Sequence, residues 1–335
     1  MQAASILIKP ASANCNMDCK YCFYKCLSSH REEYSKGFMK EETLETLVRE
    51  AIAYADGSLT FAFQGGEPTL AGLDFFQKAV ELQQKYNNKK LQIENTIQTN
   101  GLLIDEKWAR FLGEHRFLVG LSLDGPKKMH DRYRKDAAGQ DTFARIMHSV
   151  QLLEQYHVDY NVVTVVTNDT AKQASFLYKF WKRNHYPFVQ FIPCMDEIKR
   201  QDGTQECSIY AVEPEQYGKF LCELFDLWYA DFVAGETMDI RMFSNLAQMA
   251  AGYPAEECGM NGCCNCYFVV EGDGSVYPCD FYCMDAWKLG TVKDGFVQMK
   301  TSEKAKAFVA GAAVLRRGHQ CRLHADLQRS GCGHR

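Results

Sequence analysis

Apolar positions along the first two thirds of the chain alternate between the two-residue period of a strand and the 3.6-residue period of a helix. Short apolar or β-branched runs, each typical of a buried strand, occupy residues 6–10, 59–63, 91–99, 117–123, 160–167 and 188–192. Helical spacing is found at residues 39–54, 73–86, 105–112, 142–156, 171–181 and 214–232. Six strand–helix units in series predict an α/β fold with a parallel sheet and crossover helices.

Polar loops directly follow four of the predicted strands, at residues 64–68, 99–101, 122–126 and 193–196. The C-terminal ends of parallel strands are where α/β proteins place their binding and catalytic groups. These loops are therefore the first candidates for a functional site.

The alternation ends near residue 235, and beyond it only one hairpin is clear. Its strands are predicted at residues 267–270 and 275–277, joined by a turn that contains two glycines. Cysteine, glycine and asparagine are dense at residues 258–266. We therefore predict a core at residues 1–234 and a cysteine-rich module at residues 235–335.

Composition narrows the class of protein. Lysine and arginine number 38 against 42 aspartates and glutamates, a net charge of −4, which disfavours a nucleic-acid or membrane-surface partner. No apolar run approaches a transmembrane span, and the N-terminus lacks the long apolar stretch of a signal peptide. We expect a cytoplasmic protein whose cysteines serve as metal ligands or catalytic groups.

The 15 cysteines are concentrated towards the two ends of the chain, as expected of metal sites. Cys15, Cys19 and Cys22 directly follow the first predicted strand. At this spacing one loop can ligate three irons of a [4Fe–4S] cluster and leave the fourth iron open. Cys26 could add a fourth ligand, which leaves a zinc site or a fully ligated cluster as the alternative.

This CxxxCxxC run, with Tyr21 before its last cysteine, resembles the signature of the radical S-adenosylmethionine (SAM) enzymes. Gly65, Gly66, Glu67 and Pro68, after the second strand, match the GGEP motif with which that superfamily holds the SAM amino group. The resemblance implies a partial (β/α)6 barrel with the cluster at its mouth. It also implies that the open iron binds SAM and that the substrate is attacked by a 5′-deoxyadenosyl radical.

A closer resemblance, to the anaerobic sulfatase-maturating enzymes, extends from about residue 5 to about residue 300. It rests on the segments IKPASANCNMDCKYCFY, FAFQGGEPTLAG, QTNG, VGLSLDGP, YRKD, LFDLWY, CGMNGCCNC and SVYPCDFY. Members of this family oxidise one cysteine or serine of a sulfatase to Cα-formylglycine. By similarity, Gln64 lines the SAM pocket, and the residues that contact SAM are Tyr21, Gly66, Ser122, Arg134 and Met195.

Three of these positions also have an ordinary structural interpretation. Ser122 could satisfy the backbone at a strand end, Arg134 could be a solvated charge in the basic run RYRK, and Met195 could belong to the core. The resemblance favours the SAM-binding role for all three.

The resemblance also assigns part of the C-terminal cysteine group. Cys258, Cys264 and Cys279 match ligands of an auxiliary [4Fe–4S] cluster in a module of the SPASM type. A zinc knuckle formed by the cysteines at residues 258–266 is the alternative. Asp280 matches the family's general base. A carboxylate there can accept a proton from the substrate radical if it lies within hydrogen-bond reach.

The family pattern continues with further cysteines, which complete the first auxiliary cluster and build a second. Cys321 begins that stretch as a ligand, but His324 and Ser330 stand where cysteines are expected, and Cys332 is displaced. Cys321, His324, Cys332 and His334 could form a mixed metal site, but their spacing does not indicate one. The sequence therefore predicts a truncated or frame-shifted C-terminus, with one complete cluster and one incomplete auxiliary cluster.

The leading hypothesis is a radical SAM oxidoreductase that acts on a sulfatase polypeptide with a CxPxR-type or SxPxR-type motif. An electron donor such as flavodoxin or ferredoxin is the expected second partner. The alternatives are another peptide-modifying radical SAM enzyme, for example a thioether-forming one, an inactive homologue that only binds a cluster, and a non-catalytic zinc or iron–sulfur module. The choice between cysteine and serine as the oxidised residue stays open.

Overall fold

A computed structural model of the protein describes residues 3–196, 208–236, 238–260 and 264–315. Its strands are β1 (Ala4–Ile8), β2 (Ser58–Phe63), β3 (Gln92–Thr99), β4 (Leu118–Ser122), β5 (Tyr160–Val166), β6 (Phe188–Pro193), β7 (Asp239–Ile240), β8 (Phe268–Val270), β9 (Ser275–Tyr277) and β10 (Gly290–Thr291). Its α-helices are α1 (Phe23–Ser29), α2 (Glu41–Tyr54), α3 (Leu73–Tyr86), α4 (Glu106–Glu114), α5 (Lys127–Tyr133), α6 (Phe143–Gln155), α7 (Ala174–Arg183), α8 (Pro214–Val233), α9 (Arg241–Ala250), α10 (Phe296–Thr301) and α11 (Glu303–Leu315). The predicted α/β class is confirmed.

The chain divides into two compact units. The first contains the described residues of Met1–Ser122, Arg134–Tyr160 and Cys266–Phe308, and the second contains the described residues of Leu123–Tyr133, Asn161–Asn265 and Val309–Arg335. These units do not follow the sequence-based boundary at residue 235, because the hairpin β8–β9 belongs to the first unit. The division into a core at 1–234 and a module at 235–335 stays a prediction about metal-binding roles.

The sheet of the first unit has the strand order β10-β9-β8-β1-β2-β3-β4. Strand β1 lies at its centre and pairs in parallel with β2 on one side and with β8 on the other. Ile8 is in register with both Phe63 and Val270, so β1, β2 and β8 end at the same level. The loops that follow these three strands therefore begin side by side at one edge of the sheet.

Aromatic packing fixes the helices of the first unit to this sheet. Phe63 of β2 contacts Phe76 of α3 with ring centroids 4.9 Å apart, and Phe76 contacts Trp108 of α4 at 5.1 Å. Burial of such side chains contributes about 1.5–3 kcal/mol each relative to exposure. The strand ends that carry the polar loops are thereby held in place by a packed core.

The second unit has its own parallel strands, in the order β5-β6-β7. Helix α7 packs against α8, and α9 packs against β6. Pro214 stands in the first turn of α8, where its missing N–H is not needed for the helix. Within the described residues, no helix combines the length and apolar content needed to cross a membrane.

Most predicted elements agree with the structure to within three residues at each end. Beyond residue 235, where only one hairpin was predicted, the structure also has α9, α10 and α11. Helices α1 and α5 were also missed; α1 begins directly after Cys22, where the residues were interpreted as ligands only. The hairpin was predicted, but its parallel pairing with β1 depends on contacts between distant parts of the chain.

Candidate active site

The three-cysteine loop begins where β1 ends and leads into α1. Ser12 adopts a left-handed conformation with φ of 51°, and the Asn14 amide donates to the Ala11 carbonyl at 2.9 Å, which turns the chain back. Cys22 is the N-cap residue of α1, and its amide donates to the Cys19 carbonyl at 3.2 Å. The structure thus places Cys15, Cys19 and Cys22 on one short, half-buried loop.

N–H donors surround the thiols of this loop. The Met17 amide lies 3.4 Å from Cys15 Sγ, the Asn100 side-chain amide 3.8 Å from the same sulfur, and Arg134 Nη1 3.9 Å from Cys19 Sγ. Burial raises the pKa of Cys15 to about 11, and burial also raises the pKa of Cys22. The Cys15 and Cys22 thiols are therefore protonated at neutral pH when no metal is bound, and ligation to iron must displace their protons.

Three thiols on one loop, with N–H donors beside two of the sulfurs, fit a [4Fe–4S] cluster, which is held by cysteine thiolates. A structural zinc site would need a fourth ligand. Cys26 lies one turn further along α1, and its amide donates to the Cys22 carbonyl at 3.5 Å.

The turn after β2 packs directly against the cysteine loop. Gly65 has φ of 86°, and a Cβ on Gly66 would lie 2.2 Å from the Asn14 carbonyl oxygen. The Glu67 amide donates to that same carbonyl at 2.8 Å. Only glycine at position 66 allows this approach, so the GGEP turn and the cysteine loop are held together by main-chain contacts.

The Glu67 side chain is turned into the protein and is 1% exposed. Its carboxylate accepts hydrogen bonds from the Thr69 amide at 3.0 Å, the Thr69 hydroxyl at 2.6 Å, the Thr99 hydroxyl at 2.7 Å and the Asn100 amide at 2.8 Å. Burial raises its pKa. The carboxylate thus fastens the loop after β3 to the GGEP turn, and its assignment to SAM binding stays a prediction.

Arg134 is 7% exposed, so the interpretation as a solvated charge is wrong. Its guanidinium lies over the ring of Tyr21 at 5.5 Å from the centroid, beside Cys19. At the end of β4, the Ser122 hydroxyl accepts a hydrogen bond from the side chain of Gln98 at 3.2 Å. Tyr21, Ser122 and Arg134 therefore share the first unit with the cysteine loop, and Gln98 is a neighbour that sequence reasoning missed.

The remaining predicted ligands are divided between the units. Met195, which is half-buried, belongs to the second unit, together with the exposed Cys258 and the half-buried Cys264. Cys279 belongs to the first unit, where the Tyr267 hydroxyl lies 3.6 Å from its sulfur. Cys321 and residues 261–263 lie outside the described residues. The auxiliary cluster and the zinc knuckle both stay predictions.

Asp280 lies at the C-terminal side of the hairpin and is 7% exposed. Lys9 Nζ is 2.7 Å from one of its carboxylate oxygens, and the Tyr24 hydroxyl donates to the other at 2.7 Å. The Gln64 side-chain amide donates to the Tyr24 oxygen at 2.6 Å. The predicted base and the predicted pocket residue Gln64 are therefore joined through one tyrosine.

Buried tyrosines surround this carboxylate. Burial raises the pKa of Tyr24 well above its ordinary value, and the neighbouring Asp280 adds to the effect. Burial likewise raises the pKa of Tyr267, whose oxygen accepts a hydrogen bond from the Asp280 amide at 3.1 Å. Both phenols thus stay protonated at neutral pH. Sequence reasoning missed Lys9, Tyr24 and Tyr267, although a lysine inside the apolar run ILIKP was a signal.

Comparison with known proteins defines the class. Residues 10–180, half of the chain, match the family model of the Radical SAM superfamily. The chain is therefore a radical SAM protein, and the predicted class and its cofactors, a [4Fe–4S] cluster and SAM, are confirmed.

Individual relatives narrow the family. The chain is 50% identical over 294 residues to a cysteine-type anaerobic sulfatase-maturating enzyme of Clostridium perfringens, a match that covers 88% of this chain and 79% of that enzyme. It is 34% identical to a serine-type anaerobic sulfatase-maturating enzyme of Bacteroides thetaiotaomicron, over 90% of this chain and 76% of that one. The solved structure of native anSMEcpe with bound AdoMet and Cp18Cys peptide superposes with a TM-score of 0.86 at 46% identity, covering 93% of this chain and 84% of that one. The chain belongs to the anaerobic sulfatase-maturating enzymes.

Proposed function

We propose that this enzyme oxidises a cysteine of a sulfatase to Cα-formylglycine. The observation that carries the proposal is the constellation of Asp280, Tyr24 and Gln64 in the same compact unit as the three-cysteine loop. The preference for cysteine over serine is supported by identities of 45–50% to the cysteine-type relatives against 32–34% to the serine-type relatives.

In this proposal Cys15, Cys19 and Cys22 hold the catalytic cluster and leave one iron for SAM. When bound, the cluster and SAM supply the 5′-deoxyadenosyl radical that removes a hydrogen atom from the substrate Cβ. The chain's own residues orient the cofactor and exclude water from it. The residues proposed to line the SAM site are Tyr21, Gln64, Gly65, Gly66, Glu67, Ser122, Arg134 and Met195.

Asp280 is the proposed general base. After loss of the Cβ hydrogen, the substrate carbon radical still carries its thiol, and conversion to a thioaldehyde requires loss of one proton and one electron. The Asp280 carboxylate takes the proton, which is the kind of step a positioned carboxylate accelerates. The electron needs an acceptor, which an auxiliary iron–sulfur cluster would supply when bound; Cys258, Cys264 and Cys279 are the residues proposed to hold that cluster. Water then converts the thioaldehyde to the aldehyde with release of hydrogen sulfide.

The proposed partners follow from this reaction. The substrate is a sulfatase segment with a CxPxR-type motif, and a flavodoxin or ferredoxin supplies the electron that reduces the catalytic cluster. The low exposure of Asp280, at 7%, supports a substrate that inserts its side chain instead of a substrate modified at the surface.

The experiment that tests the proposal uses the full chain, reconstituted anaerobically with iron and sulfide and incubated with SAM, dithionite and a CxPxR peptide. We expect 5′-deoxyadenosine together with formylglycine in the peptide, detected by mass spectrometry and aldehyde labelling. A peptide with SxPxR is the matched control and should react more slowly. Loss of two hydrogens with retention of sulfur would indicate a thioether-forming enzyme instead. Absence of 5′-deoxyadenosine would indicate a non-catalytic binding module.

A further inference from the structure

Four buried charged side chains of the first unit form a continuous row next to the candidate base. Arg31 Nη2 lies 2.8 Å from Glu271 Oε1, Lys9 Nζ lies 3.6 Å from the same oxygen, and Lys9 Nζ lies 2.7 Å from Asp280 Oδ1. Their exposed fractions are 8% for Arg31, 0% for Glu271, 1% for Lys9 and 7% for Asp280. Two cations alternate with two carboxylates, so the row carries no net charge when all four are ionised.

The distances divide this row into two pairs. Glu271 is closer to Arg31 than to Lys9, and Lys9 is closer to Asp280 than to Glu271. Because Arg31 is the nearer cation of Glu271, the Lys9 ammonium pairs mainly with Asp280. Removing one member of a buried ion pair leaves an uncompensated charge, which costs more than the pair contributes. Loss of Arg31 would therefore draw Lys9 towards Glu271 and away from Asp280.

The course of the Lys9 side chain is restricted by its surroundings. Its amide donates to the Val270 carbonyl at 2.8 Å, which continues the pairing of β1 with β8. Its stem crosses Gly65 so closely that a Cβ at that position would lie 2.6 Å from Lys9 Cγ. Its ammonium lies over the ring of Tyr24, 4.7 Å from the centroid. These contacts direct the ammonium to the carboxylate of Asp280.

The two partners of Asp280 act differently. The Lys9 ammonium forms an ion pair with one carboxylate oxygen at 2.7 Å. The Tyr24 hydroxyl makes a directed hydrogen bond to the other oxygen. Burial opposes the charge on Lys9, but the carboxylates of Asp280 and Glu271 outweigh burial, and the pKa of Lys9 is raised. The ammonium is therefore a permanent cation.

We infer that Lys9 is a positioning residue that holds the Asp280 carboxylate in its reactive orientation, and that the Arg31–Glu271 pair keeps Lys9 in place. The inference rests on the proposed function, because it takes Asp280 as the base of that reaction. Lys9 acts through Asp280 and has no contact with substrate in this role. Its loss should leave hydrogen abstraction intact and impair the proton transfer that follows.

The test measures formylglycine formed per 5′-deoxyadenosine in the full reconstituted chain with SAM, dithionite and a CxPxR peptide. Lys9→Met keeps the length of the stem and should lower this ratio at least about tenfold, a part of what a general base contributes. Lys9→Arg should recover much of the ratio because it restores the charge. Lys36→Met, which removes a cation that pairs with Glu33 and Asp285 in the same unit, is the matched control and should leave the ratio unchanged.

A second pair of variants tests the arrangement of the row independently. Arg31→Met should lower the ratio because Lys9 is drawn to Glu271. The double variant Arg31→Met/Glu271→Gln removes both charges and should return the ratio to within about twofold of wild type, since Lys9 again faces Asp280 alone. A merely structural role predicts that both products change in proportion, so that the ratio stays at the wild-type value in the single and the double variant alike. Cluster content, read from iron analysis and the visible spectrum, checks that each variant is loaded.

The outcomes separate the two proposals. Wild-type chain that forms no formylglycine overturns the proposed function and this inference with it. Wild-type chain that forms formylglycine while Lys9→Met retains its ratio overturns the inference alone. A double variant more impaired than Arg31→Met also overturns it, even if Lys9→Met fails to fold.

Discussion

Glu67 and Asp280 are both buried carboxylates of the first unit, but their partners differ. Glu67 receives four hydrogen bonds from neutral donors in the GGEP turn and the loop after β3, about as many as a carboxylate can accept. In the described part of the chain, Asp280 has one cation and one phenol on its carboxylate. A carboxylate that is saturated by neutral donors holds structure together, whereas one whose oxygens can accept further hydrogen bonds is available to a substrate proton.

The radical is proposed to arise at the cluster held by the cysteine loop. The largest effect should therefore come from removing one of the three cluster ligands. Cys19→Ala takes away one of three cluster ligands, so 5′-deoxyadenosine should fall to the level of the enzyme-free reaction. Iron analysis should show loss of the catalytic cluster. Cys26→Ala is the matched control, because Cys26 lies on the same segment but outside the triad, and it should retain activity. Equal losses in both variants would contradict the three-ligand assignment.

The second largest effect should come from removing the basicity of the Asp280 carboxylate. Asp280→Asn keeps the size of the side chain but removes its basicity, so formylglycine formation should fall about 10²–10⁴-fold. Formation of 5′-deoxyadenosine should persist, because the cysteine loop is untouched. Asp285→Asn, at a half-buried position that accepts a hydrogen bond from the Glu32 amide, should behave as wild type. Rates of both products in the same reaction provide the measurement, and parallel loss of both would argue against Asp280 as the base.

The main-chain contacts between the GGEP turn and the cysteine loop can be tested by substituting Gly66. Gly66→Ala places a methyl group 2.2 Å from the Asn14 carbonyl, so the loop must shift, at a cost of about 3 kcal/mol. Urea unfolding and cluster content should both show the effect. Gly139→Ala has φ of 77° but nothing within 4 Å, so it should cost only about 1 kcal/mol. Similar losses in both variants would show that backbone conformation, not close approach, decides the cost.

The smallest effect should come from Glu67 itself. Glu67→Gln replaces one acceptor oxygen with an amide that faces hydrogen-bond donors, at a cost of about 2 kcal/mol in unfolding free energy. Both products should then decline in the same proportion, and the ratio of formylglycine to 5′-deoxyadenosine should stay at the wild-type value. A selective loss of formylglycine in this variant would contradict the assignment of different roles to Glu67 and Asp280.

Local motifs predicted much of this site. The strands and most helices follow from periodicity, and the cysteine triad and the GGEP turn follow from spacing within short segments. The role of Lys9 could not be predicted in this way, because β1 meets β8 only through pairing across more than 250 residues. The hairpin was assigned to a separate module for the same reason. Arg134 was open to misinterpretation because its basic neighbours suggested a surface run, whereas tertiary packing buries it against Tyr21.

For Glu67 a sequence motif was available, but the hydrogen-bond partners of its side chain could not be predicted from that motif. Its motif points to a cofactor, and the hydrogen bonds that saturate its carboxylate become visible only when the loop after β3 is placed beside it. A motif therefore identifies where a site lies, and the partners of each side chain decide what that side chain does.

The central claim is that this chain generates a radical that attacks the Cβ of a peptide cysteine. The most direct test incubates the reconstituted full chain with SAM, dithionite and a CxPxR peptide whose cysteine carries deuterium at Cβ. Mass spectrometry of the nucleoside should show one deuterium in 5′-deoxyadenosine and formylglycine in the peptide. Formylglycine accompanied by unlabelled 5′-deoxyadenosine would contradict the account.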